Sequence, residues 1–459
     1  MTDETPRLPR STRRGFLALA ACGAFAGCTD LVGDFRDGND EEVTVDGAAL
    51  REVVSADAPT APATIPVDIE RAHLDESESR ARDSLSSVPA PLDSGDVPNG
   101  AIRAELTDTY EGATGALDAA ADAESDLEAA AELRSARRDA RAVAASWAAI
   151  EEGLTRDDVR GDADPVGDAL DDFRRRWRYV GDDPVRAVVV HETIESLVER
   201  AAREWRGVTD PESRRGPERE TRETPMAVGE TAGALERARA SLDDAAHFYD
   251  RFDASLDDSR RLGSALGTAG ESLAATVERR LSDLPDGDRD DPSSFVDREL
   301  GDAPAGAALA ELYSSVDTPY ALEDARSMGQ RASVVTGAHE TLVRIRAFES
   351  LRERIEDGEF VTVESADDVR TLREDAVDAV ETALDSSANP LLVEPVVTDA
   401  AWVISFVDGR LPDTRTDDEI RVGYIDHDLG GYVRAAELAR ATPPTSRTVA
   451  SELRDSASE

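Results

Sequence analysis

The chain predicts an all-α fold: a multi-helix bundle of long antiparallel amphipathic helices, set out as two helical halves. Three observations lead there. From Pro66 onward Ala, Leu, Glu and Arg dominate, and all are strong helix formers. Apolar residues recur at steps of three and four, the period of one helix face. β-branched alternation is almost absent, and Phe360-Val361-Thr362-Val363 is the one brief strand-like run.

The first element, residues 1–27, reads as an export signal. Arg7, Arg10, Arg13 and Arg14 precede an apolar run over residues 16–27, which ends in small residues before Cys28. Arg13 and Arg14 followed by Phe16 and Leu17 point to the twin-arginine route. Leu19-Ala20-Ala21-Cys22 offers a better local cysteine context than Phe25-Ala26-Gly27-Cys28. Choosing Cys22, however, cuts the apolar core to residues 16–21, below the roughly 7–15 residues such cores have. Cys28 is therefore the lipidation candidate. The segment resembles the signal peptides of twin-arginine-exported lipoproteins. That resemblance implies removal of residues 1–27 and anchoring, through lipid on Cys28, to the outer face of the cytoplasmic membrane.

Composition narrows the setting. The formal charge is −46, and all 52 basic residues are arginine. Dense carboxylates keep a surface hydrated where salt screens charges within a few ångströms. With the leader, this resembles the exported lipoproteins of salt-loving archaea. Nucleic acid is excluded as a partner, since nothing here could neutralise a row of phosphates. With Cys28 committed to lipid and the leader removed, no second cysteine is left for a disulfide.

Residues 28–65 read as a disordered acidic, Pro-rich tether, with Ala58-Pro59-Thr60-Ala61-Pro62 at its centre. Residues 66–208 form the first helical half, with stripes at Ala140, Val143, Trp147 and Ile150 and at Val190, Ile194, Leu197, Ala201 and Trp205. A charged linker at 209–227 gives the best internal boundary. Residues 228–459 form the second half, which opens on the longest stripe, Val228, Thr231, Leu235, Ala238, Leu242, Ala245, Tyr249, Phe252 and Leu256. That spacing predicts about eight helical turns. A second series from Leu262 to Leu284 suggests an antiparallel hairpin or a continuation of the same helix. The most apolar run, residues 391–407, is interrupted by Glu394, Pro395 and Asp399 and reads as a buried helix.

Site chemistry rests on five histidines. Glu70 with His73, Asp244 with His247, and His191 with Glu195 each place a carboxylate and an imidazole on one helical face, the spacing of metal ligands in bundle cores. His191, Glu195, Asp244, His247, His339 and Glu340 are the candidate divalent-metal ligands. The segment from Arg186 to Ile194 is echoed by Arg331 to Leu342, each with a His-Glu-Thr run, which hints at a duplication. The Gly-x-His-x-x-Glu signature of imelysin-like metal-uptake proteins is only half present, because Leu342 follows Gly337-Ala338-His339 where glutamate belongs. No H-E-x-x-H, P-loop or Gly-x-Ser-x-Gly motif occurs. Trp147, Trp205 and Trp402 continue apolar stripes and are expected in the core. Trp177, within Arg174-Arg175-Arg176-Trp177-Arg178, is expected at the surface, with its arginines paired to Asp171, Asp172 and Asp182. No catalytic residue is assigned and no cofactor beyond the divalent metal. Three functions fit: a non-enzymatic binding or scaffold module meeting an envelope protein or surface polymer, a helical metal-uptake protein, and an exported enzyme with a site assembled from distant positions.

Overall fold

A computed structural model describes residues 43–210, 224–288, 290–300, 303–316, 320–386, 389–411 and 419–458. Arg13, Arg14, Phe16, Leu17 and Cys28 lie outside the described residues. The fold is all-α, as the helical periodicity predicts. After strand β1 (Thr44–Asp46) come α1 (Gly47–Val53), α2 (Arg71–Ser86), α3 (Gly100–Ala121), α4 (Asp126–Glu151), α5 (Arg156–Gly161) and α6 (Asp164–Arg176). Strand β2 (Val180–Gly181) leads to α7 (Pro184–Thr209), α8 (Pro225–Ala254), strand β3 (Arg260–Arg261) and α9 (Gly263–Ser282). Next are α10 (Pro304–Val316), α11 (Tyr320–Met328), α12 (Arg331–Asp357), α13 (Ala366–Leu384), α14 (Pro390–Arg410), strand β4 (Glu419–Arg421) and α15 (Asp426–Ser456).

Local chemistry sets the helix starts. Asn99, Ser125, Asp183 and Thr224 each accept a backbone N–H of the first turn that follows, satisfying donors the helix itself leaves orphaned. Pro184, Pro225 and Pro390 occupy first positions, where the missing N–H costs nothing. The predicted eight-turn helix is α8, and Val228, Leu235, Ala238, Leu242, Ala245, Tyr249 and Phe252 are all buried along it.

Two helices act as hubs. α8 packs on α4 and α7, while α4 also receives α2 and α3; α15 packs on α10, α12, α13 and α14. The two groups join where α7 meets α12, α14 and α15. The largest core runs from Ile69 to Leu453 and crosses that junction. A second core gathers β1, α1, α13, α14 and the start of α15. A third surrounds Phe295, Leu309 and Phe348.

The structure departs from the sequence reading in four places. Residues 43–65, read as part of the tether, are folded: β1 pairs with β4, Leu50 and Val53 are buried, and the Ala61 carbonyl accepts from Thr398 of α14. Buried Val45, Leu50 and Val53 supply the apolar contacts that an average over this acidic, Pro-rich stretch conceals. The series after Leu262 is α9, but it packs on α12 and α15 instead of returning along α8. Pairing of β3 with β2 turns the chain away between the two helices. Phe360 to Val363 forms no strand. Finally, α14 is long and apolar enough by composition to cross a membrane, yet only one face packs, with Val397, Ile404 and Val407 inward and Trp402 and Phe406 exposed.

Candidate functional site

Two of the predicted residues, His191 and Glu195, lie on α7, and Glu195 reaches the start of α12. His191 is buried beside Trp177, Tyr179 and Phe252. Trp177 Nε1 donates to His191 Nδ1 at 3.1 Å. Indole nitrogen has no acceptor capacity, so Nδ1 must be the bare nitrogen, and Nε2 carries the proton toward the Val180 carbonyl at 2.9 Å. A second proton on Nδ1 would oppose the indole N–H. Burial holds this imidazole down at about 4, so His191 is neutral near pH 7.

Glu195, one turn further along α7, is a helix cap. Its carboxylate accepts from the Ala332 and Ser333 backbone N–H groups at 3.1 and 2.7 Å and from the Ser333 hydroxyl at 2.5 Å. Those are orphan donors in the first turn of α12, where a negative charge also meets the positive end of the helix dipole. Tyr179 adds a fourth bond, 2.6 Å from its hydroxyl to Oε1. Burial raises the pKa of this carboxyl against the pull of these donors. Glu195→Gln is expected to cost about 1–2 kcal/mol, the value of a lost charged cap contact. A shift of the urea midpoint in molar salt would measure it, and an unchanged midpoint would remove the capping role.

The two spaced pairs Glu70/His73 and Asp244/His247 do meet, but crosswise. His73 Nε2 donates to Asp244 Oδ1 at 2.6 Å, and Arg134 pairs with the other oxygen. The His73 and His247 rings stack 4.1 Å apart. His247 Nε2 accepts from the Glu70 backbone N–H at 3.1 Å. Burial pushes the Asp244 pKa up, but Arg134 and His73 outweigh it and the net direction is down. Burial, then the neighbouring His73, lowers that of His247.

His339 lies apart from both, buried on α12 with Nε2 2.9 Å from the Ser446 hydroxyl of α15. Glu340 points elsewhere, 3.4 Å from Arg344. The two His-Glu-Thr runs nonetheless face one another. Burial first, then the charges of Glu340 and Glu195, raise the Glu192 carboxyl to about 7. The six candidate ligands thus occupy three separate places, and hydrogen bonds inside the fold engage His191, Glu195, Asp244, His247 and His339. Among the described residues no group of three or more His, Cys, Asp or Glu side chains is placed to hold a metal ion.

The tryptophans exchange their expected roles. Trp177 is half-buried on the His191 pocket and stacks 6.1 Å from Phe173, whereas Trp402 is 56% exposed. Of the neighbouring arginines, Arg175 pairs with Asp172, but Arg176 reaches across to Asp250 of α8 at 2.5 Å and covers the Phe173 and Tyr249 rings. Trp402 stacks on Phe406 at 5.2 Å, and Arg410 lies over Phe406 while holding Asp428 at 2.8 Å. Tyr424, 74% exposed, stands just before the α15 turn that carries Asp428, and the Val43 carbonyl accepts from Val422 N nearby. Trp402 and Phe406 thus make an exposed aromatic pair on an acidic surface. Sequence periodicity missed it because Trp402 continues the apolar run of α14 without sharing its buried side.

Residues 72–258 match a family model described as a domain of unknown function, DUF8262. Residues 263–451 match a second, also a domain of unknown function, DUF8264. Two family models meet in this chain. The step between them falls at β3, not at the charged linker 209–227, so α8 goes with the first half on which it packs. No curated protein and no solved structure matches the chain.

Proposed function

We propose that the protein is an exported, lipid-anchored helical binding module, non-enzymatic, held at the outer face of the cytoplasmic membrane through Cys28. The observation that carries this reading is the order Arg13-Arg14, Phe16-Leu17, an apolar run and Cys28, set a short step before a folded body. Val43 is fifteen steps along the chain from Cys28, a reach of about 50 Å at full extension. The Val43 carbonyl accepts from Val422, two residues before Tyr424, and the Arg410 that covers the Phe406 ring pairs with Asp428, four residues after that tyrosine. Aromatic side chains with polar edges suit the headgroup region, so this corner is the one turned to the membrane, which leaves the rest of the bundle for a partner. The engagement of His191, Glu195, Asp244 and His339 in fixed hydrogen bonds supports a binding role over a catalytic one.

Cys28→Ser should move the protein from the membrane fraction to the soluble exported fraction in molar salt, and an Arg13→Lys, Arg14→Lys pair should retain it inside the cell. Membrane association unchanged in Cys28→Ser would overturn the anchor.

A further inference from the structure

α4 and α7 flank α8 and bring arginines together on it. Arg134 of α4 is paired with Asp244 of α8, and the Arg138 carbonyl passes so near α8 that a Cβ at Gly233 would stand 2.9 Å from it. That register sets Arg134 against the α8 turn holding Arg237. Arg200 of α7 lies nine residues beyond the His191 that touches Tyr249 and Phe252 of α8, so the antiparallel packing of the two helices carries it toward the same stretch of α8, and the charges of Arg237, Arg134 and Arg203 bear on it most. Arg134 has its carboxylate. Among the described residues Arg200 and Arg237 have no hydrogen bond or ion pair, and Arg200 Nε is shut from solvent without an acceptor. Burial first, then these neighbours, lower the Arg200 pKa to about 10, with Glu204 opposing. Arg237 is lowered in the same way, by burial and then Arg138, with Glu204 and Asp139 opposing in part.

A chain with 98 acidic residues against 52 basic ones has abundant carboxylates for its arginines. Half-buried guanidinium groups left without one, and crowded by like charge, keep their charge at a cost that an anion would remove. We propose that Arg200 and Arg237, with Arg134 beside them, form a binding site for a phosphate-type oxyanion where α4 and α7 flank α8. Two planar forks on different helices can each give paired N–H donors to a tetrahedral oxyanion. A divalent anion also offsets several crowded positive charges better than chloride or acetate. The site stands apart from the lipid-anchor reading and does not depend on it.

The test uses the full chain carrying Cys28→Ser, in molar sodium chloride, titrated calorimetrically with inorganic phosphate and melted with phosphate or with acetate at matched ionic strength. One phosphate per chain and a phosphate-specific rise in Tm are expected. Arg200→Met and Arg237→Met should each bind at least tenfold more weakly, with an unliganded Tm equal to or above the parent's, because removing one charge relieves the crowding. Arg237→Lys keeps the charge without the fork and should lose part of the affinity. Stabilisation by phosphatidylglycerol vesicles alone, abolished by both methionine variants, would support the same site and assign the phosphate to a headgroup. No phosphate-specific or vesicle response, or equal responses in the parent and both methionine variants, would overturn it.

Discussion

Gly229→Ala is expected to destabilise the fold by about 3 kcal/mol, at the upper end of the usual cost of overpacking. In an ordinary helix interior the same change stabilises by roughly 1 kcal/mol, because alanine is the better helix former, so the sign alone decides. A Cβ on Gly229 of α8 would stand 2.0 Å from Ser146 Oγ and 2.4 Å from the Ala142 carbonyl oxygen of α4. A hydroxyl can rotate away, but a helical carbonyl cannot, so the two helices must part. They carry the centre of the largest core, where lost contacts are felt at every neighbouring side chain. Gly233, one turn on, faces the Arg138 carbonyl at 2.9 Å and the Ala142 Cβ at 3.0 Å, so Gly233→Ala should cost less. Adding Ser146→Gly to Gly229→Ala removes the hydroxyl contact and leaves the carbonyl one, and should restore less than half of the loss. Urea midpoints in molar salt, against the parent's, give all three values. A Gly229→Ala protein as stable as the parent would mean that α4 and α8 do not approach this closely.

That contact also marks the limit of what the sequence makes legible. The all-α class and the long stripe of α8 follow from residue spacing alone, because burial of one helix face imposes a 3.6-residue period whatever the partner. The partner itself is not encoded in the period. Leu266, Leu273 and Val277 announce a buried face for α9, but only the β2–β3 ladder sends that face to α12 and α15 instead of α8. The candidate site was legible in a similar, partial way. Spacing picked out His73, Asp244, His191 and Glu195 as members of carboxylate–imidazole pairs on one helical face, and all are engaged inside the fold. It paired each with its neighbour in sequence, whereas the structure pairs His73 with Asp244 across 171 positions and Glu195 with the start of α12. Tyr179 lies in no periodic segment and carried no signal. Arg200 and Arg237 carried none: between the stripe residues Leu197 and Ala201, and Leu235 and Ala238, they stand next to Glu199 and Glu236 as ordinary charges off the apolar face.

Lowering the pH from about 6.5 to 4 is expected to remove roughly 6 kcal/mol of stability through two residues, His191 and His339. Burial lowers both imidazoles to about 4, while an unfolded histidine titrates near 6.5. Between those values the unfolded chain binds the extra protons, so stability rises with pH across the window and is lost as pH falls through it. A shift of about 2.5 units at roughly 1.4 kcal/mol per unit gives about 3 kcal/mol for each, a large share of the roughly 5–15 kcal/mol typical of a folded domain. Glu192 acts in the opposite sense. Its carboxyl, raised to about 7, binds a proton in the folded state that the unfolded chain has already released, so its contribution falls as pH rises from 4.5 to 7. Glu192 is only half-buried, and molar salt screens its like-charged neighbours, which shrinks its effect; Glu195, raised by burial, opposes the two histidines in the same sense. His339→Leu combined with Ser446→Ala removes both partners of that hydrogen bond, which avoids an orphaned hydroxyl, and should halve the dependence on pH. Glu192→Gln should steepen it between 4.5 and 6.5. Stability measured by urea unfolding at half-unit pH steps separates these cases, and a slope unmoved by the His339→Leu, Ser446→Ala pair would show that the acid sensitivity arises elsewhere.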